Sequence, residues 1–258
     1  MTEPLHIVAL HGFVGSGADW DLPRQALAEA APELDVTWTT PDLPGHGANL
    51  PRAAFPHTVP AMAASVAAHL RTLPSPPILL GYSMGGRVAL RLAVDWPDLV
   101  GRLVLVGAHP GIEDQDERAA RAEVDAGRAA RIREIGAPAF CAEWSRVPII
   151  ATQDRIPEPW RGAMAARRAT NDTLGLSLAA EVGGTGSMEP LWDGLDGLTM
   201  PTLLVHGAED RKYADLVAQM LHRGPASLRP ARIAGAGHAA HLEASAAFAA
   251  RLSAFLTR

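Results

Sequence analysis

The sequence predicts an α/β fold, with a mostly parallel central sheet, flanking helices and a helical insertion. Short apolar runs alternate with segments of helical periodicity near both ends of the chain, which is the pattern of a parallel sheet. A Gly-x-Ser-x-Gly motif at 81–85 lies between one such run and a helix, a strand–turn–helix context that lifts the serine above the sheet. Residues 112–198 carry charged helical segments and lack the strand pattern, which predicts the insertion.

Length, charge and cysteine content narrow the class of protein further. The 258 residues are enough for one such domain, since a chain of this size buries a full core. A net charge of -5 without a basic run excludes nucleic acid as an expected partner. The single cysteine, Cys141, precludes an internal disulfide and fits a reducing compartment. With no basic leader and no bilayer-length apolar segment, we expect a cytoplasmic protein without a membrane partner.

The elements before residue 112 alternate between strand and helix. An apolar strand at 5–10 runs into the glycine-rich loop 11–17. Turn-forming residues fill 41–47, and the proline-rich stretch 74–77 separates a helix from the strand that begins at Ile78. The other predicted elements of this part are helix 22–31, strand 36–40, helix 59–73, a helix from Gly86 that ends before Pro97, and strand 103–106.

The stretch 112–198 differs in character from both flanking parts. Its segments are rich in Arg, Glu and Asp, and glycines and prolines interrupt them. We interpret it as a helical lid (cap) over the site, so that 1–111 and 199–258 form the core. In the second part of the core the predicted elements are strand 201–206, helix 213–221, strand 228–233 and a closing helix at 241–256.

Three residues have the order and the positions of a catalytic triad. Ser83, Asp210 and His238 come in the order Ser, Asp, His, and each follows a predicted strand. A serine hydroxyl becomes a useful base or nucleophile when an imidazole takes its proton and a carboxylate fixes the imidazole tautomer. Glu209 is the alternative acid, but the shorter Asp210 fits the turn better. His241 is the alternative histidine, but it falls on a predicted helix, whereas His238 lies in a glycine-rich loop.

Two backbone amides are predicted to form an oxyanion hole beside the serine. In a strand–Gly-x-Ser-x-Gly–helix unit, one donor is the amide after the serine, here Met84, and the other follows the first strand, here Phe13. His11, two residues before Phe13, is either a catalytic base or a brace for the glycine-rich loop. We favour the brace, because a histidine before such a loop more often holds it by hydrogen bonds.

Arginines near the serine indicate an anionic substrate. Arg87 follows Ser83 by four residues, one helical turn, and can therefore face the same pocket. A guanidinium there suits a carboxylate, which it binds through two parallel hydrogen bonds, better than a neutral ester. Arg121 lies on the first helix of the predicted lid, where it either reaches the pocket or pairs with Asp125 or Glu117 on an exposed face.

These motifs resemble one branch of the α/β-hydrolases, the synthases of 2-succinyl-6-hydroxy-2,4-cyclohexadiene-1-carboxylate, along nearly the whole chain. The segments that carry the resemblance are 11–15 (HGFVG), 42–47 (DLPGHG), 81–89 (GYSMGGRVA), 109–111 (HPG), 117–121 (ERAAR), 207–210 (GAED) and 236–238 (AGH), with Trp144, Arg168 and Asn171. Tyr82 with Arg87, and the HPG motif before an arginine-rich helix, point to this branch rather than to hydrolases at large.

The resemblance implies an α/β-hydrolase fold and a specific reaction. Enzymes of this family release pyruvate from an enolpyruvyl cyclohexene polycarboxylate, an intermediate of menaquinone biosynthesis, with the triad as general base. Their carboxylate-binding arginines correspond to Arg87, Arg121 and Arg168, although Arg168 also fits an exposed position. Tyr82 and Trp144 either close over the substrate ring or pack in the core.

The resemblance also implies that the partner is a small polycarboxylate substrate and that neither a metal ion nor a cofactor takes part. We expect a monomer or a weak homo-oligomer. The alternative function is that of a carboxylesterase-type serine hydrolase, in which Ser83 attacks a small ester and forms an acyl-enzyme. The two hypotheses differ in what the lid places around the serine. Several arginines favour the lyase, whereas an apolar cleft with Arg87 alone favours the esterase.

Overall fold

A parallel β-sheet forms the centre of the computed structural model, which describes residues 4–49 and 57–257. The strands are β1 (Leu5–Leu10), β2 (Val36–Thr39), β3 (Ile78–Tyr82), β4 (Arg102–Val106), β5 (Thr202–Gly207) and β6 (Leu228–Ile233). Within the described ranges these six strands lie in the order β2-β1-β3-β4-β5-β6, and every neighbouring pair is parallel. The predicted α/β fold is confirmed. The predicted core range also includes residues 1–3, 50–56 and 258, which lie outside the described residues.

Helices cover both faces of the sheet. The described residues form the following α-helices, of which α4 to α7 belong to the insertion: α1 (Asp21–Ala30), α2 (Val59–Leu70), α3 (Met84–Asp95), α4 (Gln115–Trp144), α5 (Pro148–Ala151), α6 (Trp160–Ala169), α7 (Thr173–Glu181), α8 (Arg211–Arg223), α9 (Ala240–Glu243) and α10 (Ser245–Leu256). Helices α1 and α10 pack together on one face, whereas α2, α3 and α8 cover the other. The helix predicted at 241–256 is in fact broken, because Ala244 has a φ of -140° and a ψ of 58°, outside the helical region.

The central strands are buried on both sides, as β1 illustrates. Val8 and Leu10 join the apolar core under α2 and α3, while Ile7 and Ala9 join the core under α1 and α10. This division follows from the alternation of side chains between the two faces of a strand. All four side chains are fully buried, as expected for a parallel strand with helices on both sides.

Helices α4 to α7 lie between β4 and β5 in the chain, at the position of the predicted insertion 112–198. Helix α4 bends at Gly136, whose φ of 79° is a backbone conformation that glycine adopts readily. Ile132 of α4 and Leu176 of α7 form a third apolar cluster, and Phe13 from the loop after β1 packs against it. The insertion is therefore anchored next to the predicted oxyanion loop, and its function as a lid stays a prediction.

The loops that carry the predicted catalytic residues leave the sheet at one edge. The carboxyl ends of parallel strands meet at the same edge, where α/β proteins place their sites. The residues concerned are Phe13 after β1, Ser83 after β3, Asp210 after β5 and His238 after β6.

Candidate active site

Ser83 lies in a strained turn between β3 and α3. Its φ of 50° and ψ of -108° are values that a residue with a side chain rarely adopts. The turn is so tight that a Cβ at Gly81 would collide with the carbonyl of Gly85, and a Cβ at Gly85 with the carbonyl of His11. Both positions therefore require glycine. The Ser83 N–H donates to the carbonyl of Val106 at 2.9 Å, which fixes the turn against β4.

The imidazole of His238 bridges the serine and the aspartate. Its Nε2 lies 3.1 Å from Ser83 Oγ, and its Nδ1 lies 2.8 Å from Asp210 Oδ2. The second oxygen of Asp210 accepts the Tyr213 N–H at 3.3 Å, at the start of α8. A carboxylate in this position keeps a proton on Nδ1 and leaves Nε2 able to accept the serine proton. The three predicted triad residues thus form one connected chain of hydrogen bonds.

Glu243 fixes the loop that carries His238, a role that was not predicted from the sequence. Its carboxylate accepts the N–H groups of Gly237 at 2.6 Å and Ala239 at 3.0 Å, one on each side of His238. The hydroxyl of Thr152, from the insertion, donates to the same carboxylate at 2.9 Å. Because the partners are mainly backbone amides, no side-chain pattern in the sequence signals this role.

The alternative acid and the alternative histidine lie elsewhere. Glu209 is exposed and forms an ion pair with Arg155 at 2.7 Å. His241 is buried, and its ring centroid lies 4.5 Å from that of Tyr82. Neither side chain has a hydrogen bond to the serine or to His238 in the part of the chain that the structure describes. The geometry therefore favours Asp210 and His238.

Phe13 and Met84, whose amides are the two predicted donors, both line the cavity in front of Ser83. Met84 is the first residue of α3, so its N–H has no partner within the helix. No acceptor for either amide is present among the described residues. His11 braces their loop, since its Nδ1–H donates to the Gly12 carbonyl at 2.8 Å while its Nε2 accepts the Leu43 N–H at 2.9 Å. This geometry is consistent with the predicted oxyanion hole.

Ser83 and His238 line a cavity of about 260 Å³. Of the residues that the structure describes, four cationic side chains line it against one carboxylate, that of Asp125. The cationic side chains are those of Arg87, Arg121, Arg128 and Lys212. With all five groups ionised, the lining carries an excess of three positive charges. Such a lining attracts anions and binds carboxylates through charge-assisted hydrogen bonds.

Arg87 is buried at the base of this cavity, one helical turn after Ser83, as predicted. Its Nη1 donates to the carbonyl of Gly183 at 2.9 Å. Burial lowers the pKa of the guanidinium to about 10, which still leaves it protonated at neutral pH. A desolvated cation whose hydrogen-bond partner is a neutral carbonyl is stabilised when an anion enters beside it.

Arg121 and Arg128 are paired through Asp125 on the cavity-facing side of α4. Arg121 Nε lies 2.9 Å and Arg128 Nη1 lies 2.7 Å from the same oxygen, Asp125 Oδ1. Arg121 therefore pairs with Asp125, but the pair lines the cavity, where Asp125 is buried, and does not lie on an exposed face. Arg128 was not among the residues predicted from the sequence. The spacing of 121, 125 and 128 could have indicated it, because it places the three residues on one helix face.

Trp144 and Tyr82, the two predicted substrate-contacting aromatics, differ in position. Trp144 lines the cavity. Tyr82 is the last residue of β3 and points into the core under α1 and α10, where its ring lies 5.3 Å from the ring of His238. The structure therefore favours core packing for Tyr82, because its strand position directs the side chain away from the cavity.

Arg168 lies outside the cavity of Ser83. It lines a neighbouring cavity between α5 and α6, and its Nη1 donates to the side-chain carbonyl of Gln153 at 2.9 Å. The expectation that Arg168 lies beside Arg87 and Arg121 does not match this position. Arg168 is on α6, and the packing of that helix cannot be deduced from sequence spacing.

The melting temperature should fall as the pH is lowered below 6.5, because three buried histidines stay neutral in the folded protein. Burial lowers the pKa values of His46, His109 and His241 to about 3 from the ordinary value of 6.5. Below pH 6.5 the unfolded chain binds more protons than the folded chain, so stability is lost as the pH falls from 6.5 towards 3. Calorimetry at a series of pH values measures this slope.

The variant His241→Phe provides the control for the acid sensitivity. It removes one titrating group and keeps an aromatic ring against Tyr82 and Trp20. The dependence of its melting temperature on pH should be shallower than that of the parent, whatever its melting temperature at neutral pH. A parent melting temperature that stays constant between pH 7 and pH 4.5 would contradict the prediction.

Residues 4–49 and 57–257 show neither a membrane-spanning helix nor a metal-binding cluster. No helix there combines the length and the apolar character needed to cross a membrane. No group of three or more His, Cys, Asp or Glu side chains in these ranges is arranged to hold a metal ion.

Comparison with known proteins identifies the family of this chain. The model of the alpha/beta hydrolase family matches residues 7–251. A Bacillus subtilis (strain 168) relative is 32% identical over 97% of this chain and 90% of its own length. The 2-succinyl-6-hydroxy-2,4-cyclohexadiene-1-carboxylate synthase of Pectobacterium atrosepticum is 32% identical, over 97% of this chain and 93% of its own. The structure of MenH from S. aureus superposes with a TM-score of 0.90 at 26% identity, covering 99% of this chain and 95% of that one.

Proposed function

The chain belongs to the alpha/beta hydrolase family and resembles its 2-succinyl-6-hydroxy-2,4-cyclohexadiene-1-carboxylate synthases, and on that premise we propose that it is a pyruvate-eliminating lyase. Its substrate is 2-succinyl-5-enolpyruvyl-6-hydroxy-3-cyclohexene-1-carboxylate. The ring carboxylate, the succinyl group and the enolpyruvyl group each bring one negative charge. The observation that carries the proposal is the excess of three positive charges in the lining of the cavity.

The reaction follows from the positions of the double bonds in the substrate and the product. The ring double bond at position 3 is replaced by double bonds at positions 2 and 4. A base must therefore remove the proton from carbon 2, which lies next to the succinyl carbonyl. The electron pair forms the double bond between carbons 2 and 3, the original double bond moves to carbons 4 and 5, and the bond from carbon 5 to the enolpyruvyl oxygen breaks. Enolpyruvate leaves and takes up a proton on its methylene carbon to give pyruvate.

The triad supplies the base for this elimination. His238 accepts the proton of Ser83 through Nε2, and the serine oxygen takes the proton from carbon 2, while Asp210 stabilises the imidazolium. Negative charge develops on the succinyl carbonyl oxygen as that proton leaves. The amides of Phe13 and Met84 are the donors that would stabilise it. In this scheme Ser83 relays a proton and forms no covalent bond to the substrate.

A carboxylesterase reaction is the second candidate. The distance of 3.1 Å between His238 Nε2 and Ser83 Oγ also suits a nucleophilic serine, which would attack an ester and form an acyl-enzyme. A cavity with several arginines argues against it, because a neutral ester leaves those cations without an anionic partner. An esterase would also be expected to show ping-pong kinetics.

The purified protein should release pyruvate rapidly from the enolpyruvyl cyclohexene substrate and hydrolyse p-nitrophenyl acetate and butyrate only slowly. The physical reason is that the cationic lining binds the polycarboxylate and gains nothing from a neutral ester. Pyruvate formation is followed by a coupled assay and ester hydrolysis by absorbance, on the same preparation. Vigorous ester hydrolysis without pyruvate release above background would overturn the lyase and leave the esterase.

A further inference from the structure

The loop after β6 that carries His238 contains two glycines, Gly235 and Gly237. Glycine allows the backbone more conformations than any other residue, so such a loop depends on contacts from outside it to hold the imidazole in place. The critical distance is the 3.1 Å between His238 Nε2 and Ser83 Oγ. A shift of about 1 Å would lengthen it beyond a hydrogen bond and can lower the rate of a catalysed reaction about 100-fold.

Glu243 supplies contacts of this kind through both of its carboxylate oxygens. Oε2 accepts the Gly237 N–H at 2.6 Å, and Oε1 accepts the Ala239 N–H at 3.0 Å. Oε1 also accepts the hydroxyl of Thr152 at 2.9 Å. The three partners are all donors, which suits an ionised carboxylate, since both of its oxygens accept and neither donates. Because the carboxylate is buried, these hydrogen bonds also replace the water that it loses on folding.

Thr152 belongs to the insertion, in the 3-10 helix Thr152–Arg155. Its side chain donates to Glu243 and also packs on the loop, since a Cβ at Gly237 would lie 2.5 Å from Thr152 Oγ1. The insertion therefore contacts the backbone next to His238. This contact lies outside the cavity of Ser83, because neither Thr152 nor Glu243 is part of its lining.

We propose that Glu243 is a positioning residue for the elimination, and that Thr152 connects it to the insertion. The carboxylate fixes the backbone on both sides of His238, and the imidazole is thereby held between Asp210 and Ser83. The insertion then contributes to the proton transfer itself, through Thr152 and Glu243, in addition to lining the cavity. The inference rests on the proposed function, in which His238 accepts the proton of Ser83.

Glu243→Gln should lower kcat for pyruvate release about tenfold or more and leave the KM within about twofold of the parent value. A glutamine places N–H groups at one of the two oxygen positions, so that a donor faces the N–H of Gly237 or of Ala239 and one hydrogen bond to the loop is lost. The KM should hold, because Glu243 does not line the cavity. The matched control is Glu158→Gln, which changes an exposed carboxylate that accepts the Gly162 N–H at 3.0 Å, and its kcat and KM should match those of the parent.

Thr152→Val removes the hydroxyl and keeps the packing against Gly237. It should lower kcat about threefold, since one hydrogen bond to the carboxylate is lost while both loop amides keep theirs. The double variant Thr152→Val/Glu243→Gln should have the kcat of Glu243→Gln alone, because Thr152 acts through that carboxylate. The control is Thr170→Val, which removes an exposed hydroxyl that donates to the Arg167 carbonyl after α6. Its kcat should equal that of the parent.

Proton NMR of the resting protein, with isotope labelling of its histidines, tests the same inference without turnover. The Nδ1–H of His238, which donates to the Asp210 carboxylate, gives a proton resonance far downfield, and the absence of this resonance in Asp210→Asn assigns it. In Glu243→Gln the resonance should move upfield or broaden, since the imidazole is no longer held at a fixed distance from Asp210. Glu158→Gln should leave it unchanged. If the parent releases no pyruvate, the proposed function fails, and this spectrum still decides whether Glu243 positions His238.

Three results would overturn the inference. The first is a folded Glu243→Gln whose kcat and His238 resonance both match those of the parent. The second is a lower melting temperature with kcat and the resonance unchanged, which would leave Glu243 a structural role only. The third is a KM that rises while kcat holds, which would make Glu243 a binding residue. If Glu243→Gln does not fold, Thr152→Val decides by the same measurements, and a parent-like kcat and spectrum in that variant would then refute the positioning role.

Discussion

Asp210→Asn should lower kcat for pyruvate release by about 10³-fold or more, with little change in KM. In the parent the Asp210 carboxylate accepts a hydrogen bond from His238 Nδ1–H at 2.8 Å. An asparagine can present an N–H there instead, which favours the tautomer with the proton on Nε2, facing Ser83. That tautomer cannot accept the serine proton, so the relay to carbon 2 of the substrate is lost. Steady-state kinetics of pyruvate release measure the effect.

Glu209→Gln is the matched control, because it makes the same chemical change at the adjacent residue. Glu209 is exposed and paired with Arg155, and solvent screening makes the contribution of such a surface ion pair to stability small. Its kcat should stay within about twofold of that of the parent. Equal losses in the two variants, or a larger loss in Glu209→Gln, would show that Asp210 is not the orienting acid.

The triad could be predicted from the sequence because each of its residues is marked by a local pattern. Gly81 and Gly85 identify the elbow, since only glycine fits there, and an acid and a histidine follow the last two strands. The parallel sheet then brings the three residues together, because the carboxyl ends of β3, β5 and β6 lie at one edge. Large sequence separations, such as the 155 residues between Ser83 and His238, do not matter for such an arrangement.

The side of the cavity that the insertion forms was harder to predict from the sequence, because it depends on how α4 to α7 pack. From the sequence Arg121 and Arg168 look alike, as arginines on charged helices. The structure separates them, since Arg121 faces the cavity and Arg168 faces Gln153. The bend at Gly136 and the packing of α6 are features that no period in the sequence reveals. The pairs that Asp125 forms with Arg121 and Arg128 are local, at i,i+4 and i,i+3 spacing, and could have been predicted from the sequence.

Strand alternation could have decided between the two positions that the sequence left open for Tyr82. It stands next to Ser83 in the chain, which suggests contact with the substrate. It is also the last residue of β3, and alternate residues of a strand face opposite sides of the sheet. Leu80, two residues earlier, packs in the core under α1 and α10, and Tyr82 joins the same core. Its ring therefore packs against the ring of His238 from the core side and does not cover the cavity.

Arg87→Met should reduce kcat/KM for pyruvate release by roughly 100-fold, because it removes charge-assisted hydrogen bonds worth about 1.5–3 kcal/mol to a substrate carboxylate. In contrast, the melting temperature of Arg87→Met should stay the same as that of the parent or rise. The pKa of Arg87 is lowered to about 10 by burial, so the folded state disfavours the charge that methionine lacks, and this gain offsets the lost bond to Gly183.

The opposite directions of these two effects distinguish a binding residue from a structural one. Arg91→Met is the matched control on the same helix, one turn on, where Arg91 pairs with Asp95 at 2.7 Å and lies outside the cavity lining. Its kcat/KM should remain within about twofold of the parent value. A fall in both activity and melting temperature in Arg87→Met would mean that Arg87 supports the fold. A change in neither would mean that a buried cation beside Ser83 serves no substrate charge, and the polycarboxylate substrate would have to be abandoned.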